Sequence, residues 1–149
     1  MKNIVLLSLL FISTISVQAQ ENANLKNGYA VQGYDVVAYF QDKVEKGNAE
    51  FYAVYNDIKY KFYTKDNLVI FQKNPEKYIP QYGGYCAYAI AKNGKKVSVN
   101  PKTYTIIDGK LYLFFNSWGT NTLKKWNAEG PELLQKEANT NWLVIINNK

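Results

Sequence analysis

Two short polar pairs, each between runs that alternate apolar and polar residues, constrain this chain more than any other feature. Phe51, Ala53 and Tyr55 alternate with Tyr52 and Val54. After Asn56-Asp57, Ile58, Tyr60 and Phe62 alternate with Lys59 and Lys61. A period of two puts successive side chains on opposite faces of a strand, so each run buries one face. Residues 103–107 and 110–115 flank Asp108-Gly109 in the same way. Both residues of such a turn must accept positive φ, which makes Asp-Gly a strong hairpin signal.

Helical signals occupy the rest. Thr64 is placed to cap a helix with Asp66 in its first turn and an apolar stripe of Leu68, Val69 and Phe71. Asn74-Pro75 ends that helix, and Pro75 can start a short turn carrying Tyr78. Ser117 is expected to cap a helix with Leu123 and Trp126 on its inner side. Gly130-Pro131 opens another, with Leu134, Ala138 and Trp142 at four-residue spacing. Residues 85–91 fit a strand or a helix; Ala87, Ala89 and Ala91 alternating with Tyr88 and Ile90 lean towards a strand. Residues 143–146 fit a terminal strand or a tail. The expectation is a small α+β domain: two β-hairpins packed against about three short helices.

The N-terminus reads as a signal peptide of residues 1–19. Lys2 precedes an apolar stretch from Ile4 to Ile15, and Val17-Gln18-Ala19 offers small residues for cleavage before Gln20. That stretch is too short for a good membrane span, and no cysteine follows it to carry a lipid. The expected protein is periplasmic or secreted, with one domain over residues 20–149 and no membrane span. A net charge of +6 would suit nucleic acid, but the chain has no arginine, and export argues further against that partner.

Composition narrows the chemistry. The chain has one cysteine, one methionine and no histidine. A cysteine–histidine dyad is therefore impossible, and sulfur chemistry in the exported protein rests on Cys86 alone. Cys86 lies in Gln81-Tyr82-Gly83-Gly84-Tyr85-Cys86-Ala87-Tyr88. Free cysteine is among the most buried residue types, so packing is one interpretation. The other is a soft contact in a pocket formed with Tyr34, Tyr82 and the Gly83-Gly84 backbone, whose amides could point at the sulfur. Asp35, in an apolar run, is either an acceptor for nearby backbone amides or a carboxylate facing the Gly83-Gly84 loop.

The segment Lys59-Tyr60-Lys61-Phe62-Tyr63-Thr64, continued by Phe71 and Asn74-Pro75-Glu76-Lys77-Tyr78, resembles the YHS domain family. Residues 33–40, 80–89 and 106–113, with the closing Ala138-Asn139-Thr140-Asn141-Trp142, resemble the exported bacterial members, some of which are selenoproteins. The resemblance implies binding of copper or another soft metal ion, or of a small molecule, and places ligand or redox chemistry at or near Cys86. It also marks a departure. Asp35-Val36-Val37-Ala38 stands where metal-type relatives have aspartate, proline, valine and cysteine. Tyr63 stands at the strand-end cysteine, and Asn67 falls near the next. Alanine and asparagine cannot supply a polarisable thiolate. Three expectations follow: a binding module for a small ligand or metal ion using Cys86, a thiol-redox protein, or an interaction domain with an inert cysteine.

Overall fold

The computed structural model describes residues 20–148, so the expected signal peptide lies outside the described residues. The first hairpin pairs β3 (Asn48–Tyr55) with β4 (Ile58–Phe62) through Tyr55↔Ile58 and Ala53↔Tyr60. Asn56 and Asp57 have φ of 49° and 61°, the left-handed pair that a two-residue turn needs. Two short strands, β1 (Leu25–Lys26) and β2 (Tyr29–Ala30), extend this sheet in the order β1-β2-β4-β3, which leaves β3 at an edge.

Helix α1 (Lys65–Lys73) starts where Thr64 Oγ1 accepts from the Asn67 amide at 3.1 Å. Its Phe71 packs on Tyr60 and Phe62, with ring centroids 5.0 and 4.9 Å away. Fully burying a side chain of this kind contributes about 1.5–3 kcal/mol, so this stripe holds helix to sheet. Pro75 then opens the one-turn α2 (Pro75–Tyr78) and buries Tyr78.

The second hairpin, β5 (Asn100–Ile107) and β6 (Lys110–Phe114), turns at Asp108 and Gly109, with φ of 51° and 71°. Strand β6 is buried on both faces. Leu111 and Leu113 join the cluster beneath the first sheet, whereas Tyr112 and Phe114 join a second cluster with Ile90, Trp126, Leu134 and Ala138. Period-two geometry thus makes one strand the wall between two cores.

Three features depart from the sequence expectations. Residues 87–93 form a helix, α3 (Ala87–Asn93), not a strand. Ala87, Ile90 and Ala91 are its buried positions, a helical spacing that the alternating alanines concealed. Ser117 does not cap a helix but lies in β7 (Asn116–Ser117), paired with β8 (Thr120–Asn121) around Trp118 and Gly119. The cap is Asn121, whose Oδ1 accepts from the amides of Leu123 and Lys124 at the start of α4 (Thr122–Glu129). Finally, α5 (Pro131–Asn147) runs through residues 143–146, so that stretch is neither strand nor tail.

The class is α+β, with five α-helices among the described residues where about three are expected. Among the described residues no helix is long and apolar enough to cross a membrane.

Candidate functional site

The Gln81–Gly84 turn holds Tyr82, Gly83 and Gly84 at φ of 55°, 59° and 79°, three left-handed residues in succession. The chain just after the expected cleavage point crosses over it. Asn24 donates its amide to the Gly83 carbonyl at 2.8 Å and its side-chain Nδ2 to the Gly84 carbonyl at 3.0 Å. Tyr85 donates its hydroxyl to the Ala23 carbonyl at 3.3 Å. A Cβ at residue 83 would collide with the Asn22 carbonyl oxygen. Glycine is required there both by φ and by this backbone crossing. The glycine pair therefore receives the strap of residues 20–24.

Strap, turn and α5 together border an open cleft of about 560 Å³, within the usual size range of small-molecule sites. Its walls include Ala23, Tyr60, Tyr82, Gly83 and Trp142, and Glu76 and Lys110 also line it. Tyr82 donates its hydroxyl to Asn139 Oδ1 at 2.9 Å, and its ring lies 6.1 Å from that of Trp142. Tyr60 is 4% exposed and lines the cleft. Burial pushes the Tyr60 hydroxyl well above the ordinary tyrosine range. The Tyr82 hydroxyl rises for the same reason, with Tyr112 adding to the effect. Both stay protonated at neutral pH.

Cys86 lies elsewhere. It is 0% exposed, precedes α3, and belongs to the cluster that includes Leu111 and Leu113. Thr122 Oγ1 donates to the Phe115 carbonyl at 2.8 Å, which commits its single proton. The Cys86 thiol is therefore the donor in the 3.3 Å contact to Thr122 Oγ1. The sulfur's polar neighbour is this hydroxyl and not the glycine amides. A thiol acts as nucleophile or ligand through an accessible thiolate, and this one is enclosed and engaged as a donor.

Asp35 is 1% exposed, and its carboxylate is saturated. Oδ1 accepts from the amides of Val37 and Ala38 at 2.8 and 3.2 Å. Oδ2 accepts from the Tyr63 amide and Asn67 Nδ2, both at 2.8 Å. These bonds face the first hairpin and α1, not the Gly83-Gly84 loop. Ala38, Tyr63 and Asn67, which the resemblance sets at or near cysteines of metal-type YHS domains, thus meet around one carboxylate. With four N–H groups aimed at Asp35, and amide and phenol in place of thiolates, this donor set does not fit a soft metal ion. Among the described residues no group of three or more histidine, cysteine, aspartate or glutamate side chains could hold a metal ion.

Of the six residues singled out from sequence, Tyr82 and Gly83 line the cleft. Gly84 is buried behind them against Pro80. Tyr34 is half-buried, with the Lys46 ammonium 5.9 Å from its ring centroid. Tyr60, Asn139 and Trp142 were missed as site residues, because their periodicity marks them only as strand and helix positions. No protein-family model matches the sequence, and no curated protein or solved structure is similar enough to be matched to it.

Proposed function

We propose that this protein is an exported, YHS-like binding module whose small ligand occupies the cleft between the strap, the Gln81–Gly84 turn and α5. The observation that carries this is the cleft itself, about 560 Å³ and lined by Tyr60, Tyr82 and Trp142 beside the Gly83 turn. The Tyr82 and Trp142 rings favour a planar, weakly polar molecule. The family part of the proposal is supported by the way β4, α1 and α2 follow one another along the motif from Lys59 to Tyr78.

In this reading Cys86 supports α3 and the core and does not touch the ligand. Titration of the mature protein with indole and p-cresol, followed by amide and indole chemical shifts, tests it. Shifts centred on Tyr60, Tyr82, Gly83 and Trp142 are expected, weakened in Trp142→Ala and retained in Cys86→Ser. Shifts absent or scattered over the surface would refute the cleft. Parallel titration with Cu(I) and Zn(II) tests the soft-metal alternative. Tight binding lost in Cys86→Ser would replace the present reading with that one.

A further inference from the structure

Strand β3 is an edge of its sheet; past the irregularity between Asn48 and Tyr52, residues 52–55 read Tyr-Ala-Val-Tyr with no charge and no proline to block pairing. In a hairpin closed by a two-residue turn, Tyr55↔Ile58 and Ala53↔Tyr60 are the hydrogen-bonded pairs. The amides and carbonyls of Tyr52 and Val54 consequently point away from β4, towards the open edge. Their side chains are also exposed, at 51% and 55%. Beside this edge runs a groove of about 450 Å³, walled by Ala53 and Tyr55 on the strand and by Phe71, Gln72 and Pro75 below.

We infer that this edge pairs with the same edge of a second copy, β3 against β3 in antiparallel register about Ala53. The register follows from counting hydrogen-bonding groups. The pairable stretch is bounded on one side by the irregularity between Asn48 and Tyr52 and on the other by the Asn56-Asp57 turn. Centring the two-fold axis on Ala53 sets each Tyr52 opposite the second copy's Val54, so every outward amide and carbonyl of both residues is used. Centring it on Tyr52 or Val54 wastes half of them on the irregular segment or the turn.

The Ala53 register also creates two aromatic–β-branched cross-strand pairs on the exposed face, a favourable combination. No charged residue lies within the paired stretch, so no like charges meet in it. On the other face, the second copy's Phe51 and Tyr55 project towards the groove. A strand of another protein could use the same amides, but it would have to supply the matching length and lack of charge that this strand already has.

The paired stretch is short, and the interface falls below the ~1,200 Å² of stable complexes, so association should be weak, with Kd of roughly 0.1–1 mM. Because each copy is net positive, +6 for the full chain, added salt should strengthen it.

Sedimentation equilibrium of the mature protein from about 10 µM to about 1 mM should show the mass rising towards that of a dimer, a range set by the expected Kd. Val54→Lys and Tyr52→Lys should remain folded by circular dichroism and stay monomeric throughout. Ala53→Cys should form a disulfide dimer on mild oxidation much faster than Val54→Cys, whose side chain faces Tyr52 across the axis. A monomer at every concentration would overturn the inference. So would a dimer of unchanged affinity in Val54→Lys, or equal crosslinking of the two cysteine variants. A monomer that binds an added uncharged β-strand peptide, with shifts along Tyr52 and Val54, would also overturn it, assigning the edge to a foreign strand.

Discussion

Replacing Gly83 with alanine tests how the N-terminal strap and the cleft depend on each other. The cost has two parts. A side chain at φ 59° carries the left-handed penalty, about 1–2 kcal/mol. The larger part is the collision with the Asn22 carbonyl, which is backbone and cannot rotate away. The strap must lift, and with it go the two Asn24 bonds to Gly83 and Gly84 and the Tyr85 bond to Ala23. At about 0.5–1.5 kcal/mol each, the three bonds bring the total to roughly 2.5–6.5 kcal/mol.

For a domain of this size that lowers Tm by roughly 10–20 °C in a calorimetric or circular-dichroism melt. Gly109→Ala is the control: φ there is 71° and nothing lies within 4 Å, so only the left-handed penalty of about 1–2 kcal/mol applies. Asn24→Ala supplies the cycle. It should cost about 1–2 kcal/mol in the native background and nothing beside Gly83→Ala, where the strap has already left. A Gly83→Ala melt matching that of Gly109→Ala, or strict additivity with Asn24→Ala, would refute the argument.

Other consequences are equally measurable. Asp35→Ala strands the amides of Val37, Ala38 and Tyr63 and the Asn67 side chain without an acceptor, and should cost about 3–5 kcal/mol in denaturant unfolding. Burial raises the Tyr39 and Tyr60 hydroxyls above their unfolded value near 10. The native state therefore holds protons that the unfolded chain releases, and stability, complete below pH 10, falls as pH rises further. The slope should be about 1.4 kcal/mol per pH unit for each hydroxyl, read from melts across the alkaline range. An aromatic disulfide reagent should leave Cys86 unlabelled in the native protein and react fully on denaturation; rapid native labelling would contradict its enclosure. Tyr60→Phe should weaken p-cresol binding several-fold, because it removes a phenol hydroxyl from the cleft wall.

Local rules explain what could be read in advance. The turns at Asn56-Asp57 and Asp108-Gly109, the Thr64 cap and the opening of α5 at Pro131 all depend on residues adjacent in sequence, and each occurs where expected. Local rules also explain the errors. Alternating small residues satisfy both strand and helix, and α3 is decided by Ile90 and Ala91 packing into the cluster that contains Leu134 and Ala138. Trp118 at φ 52° is an unusual turn residue, which concealed β7–β8 and shifted the expected cap from Asn121 to Ser117.

The candidate site divides in the same way. Sequence by itself determined the inventory: one cysteine, no histidine, and a glycine pair among tyrosines. Only the tertiary structure decided how these are used. It spends Gly83 on a backbone crossing, saturates Asp35 with four donors, and encloses Cys86 against Thr122. It also brings Tyr60 from the first hairpin to Trp142 of the last helix across one cleft. These outcomes depend on contacts between residues far apart along the chain, where packing and hydrogen-bond satisfaction, not local propensity, set the arrangement.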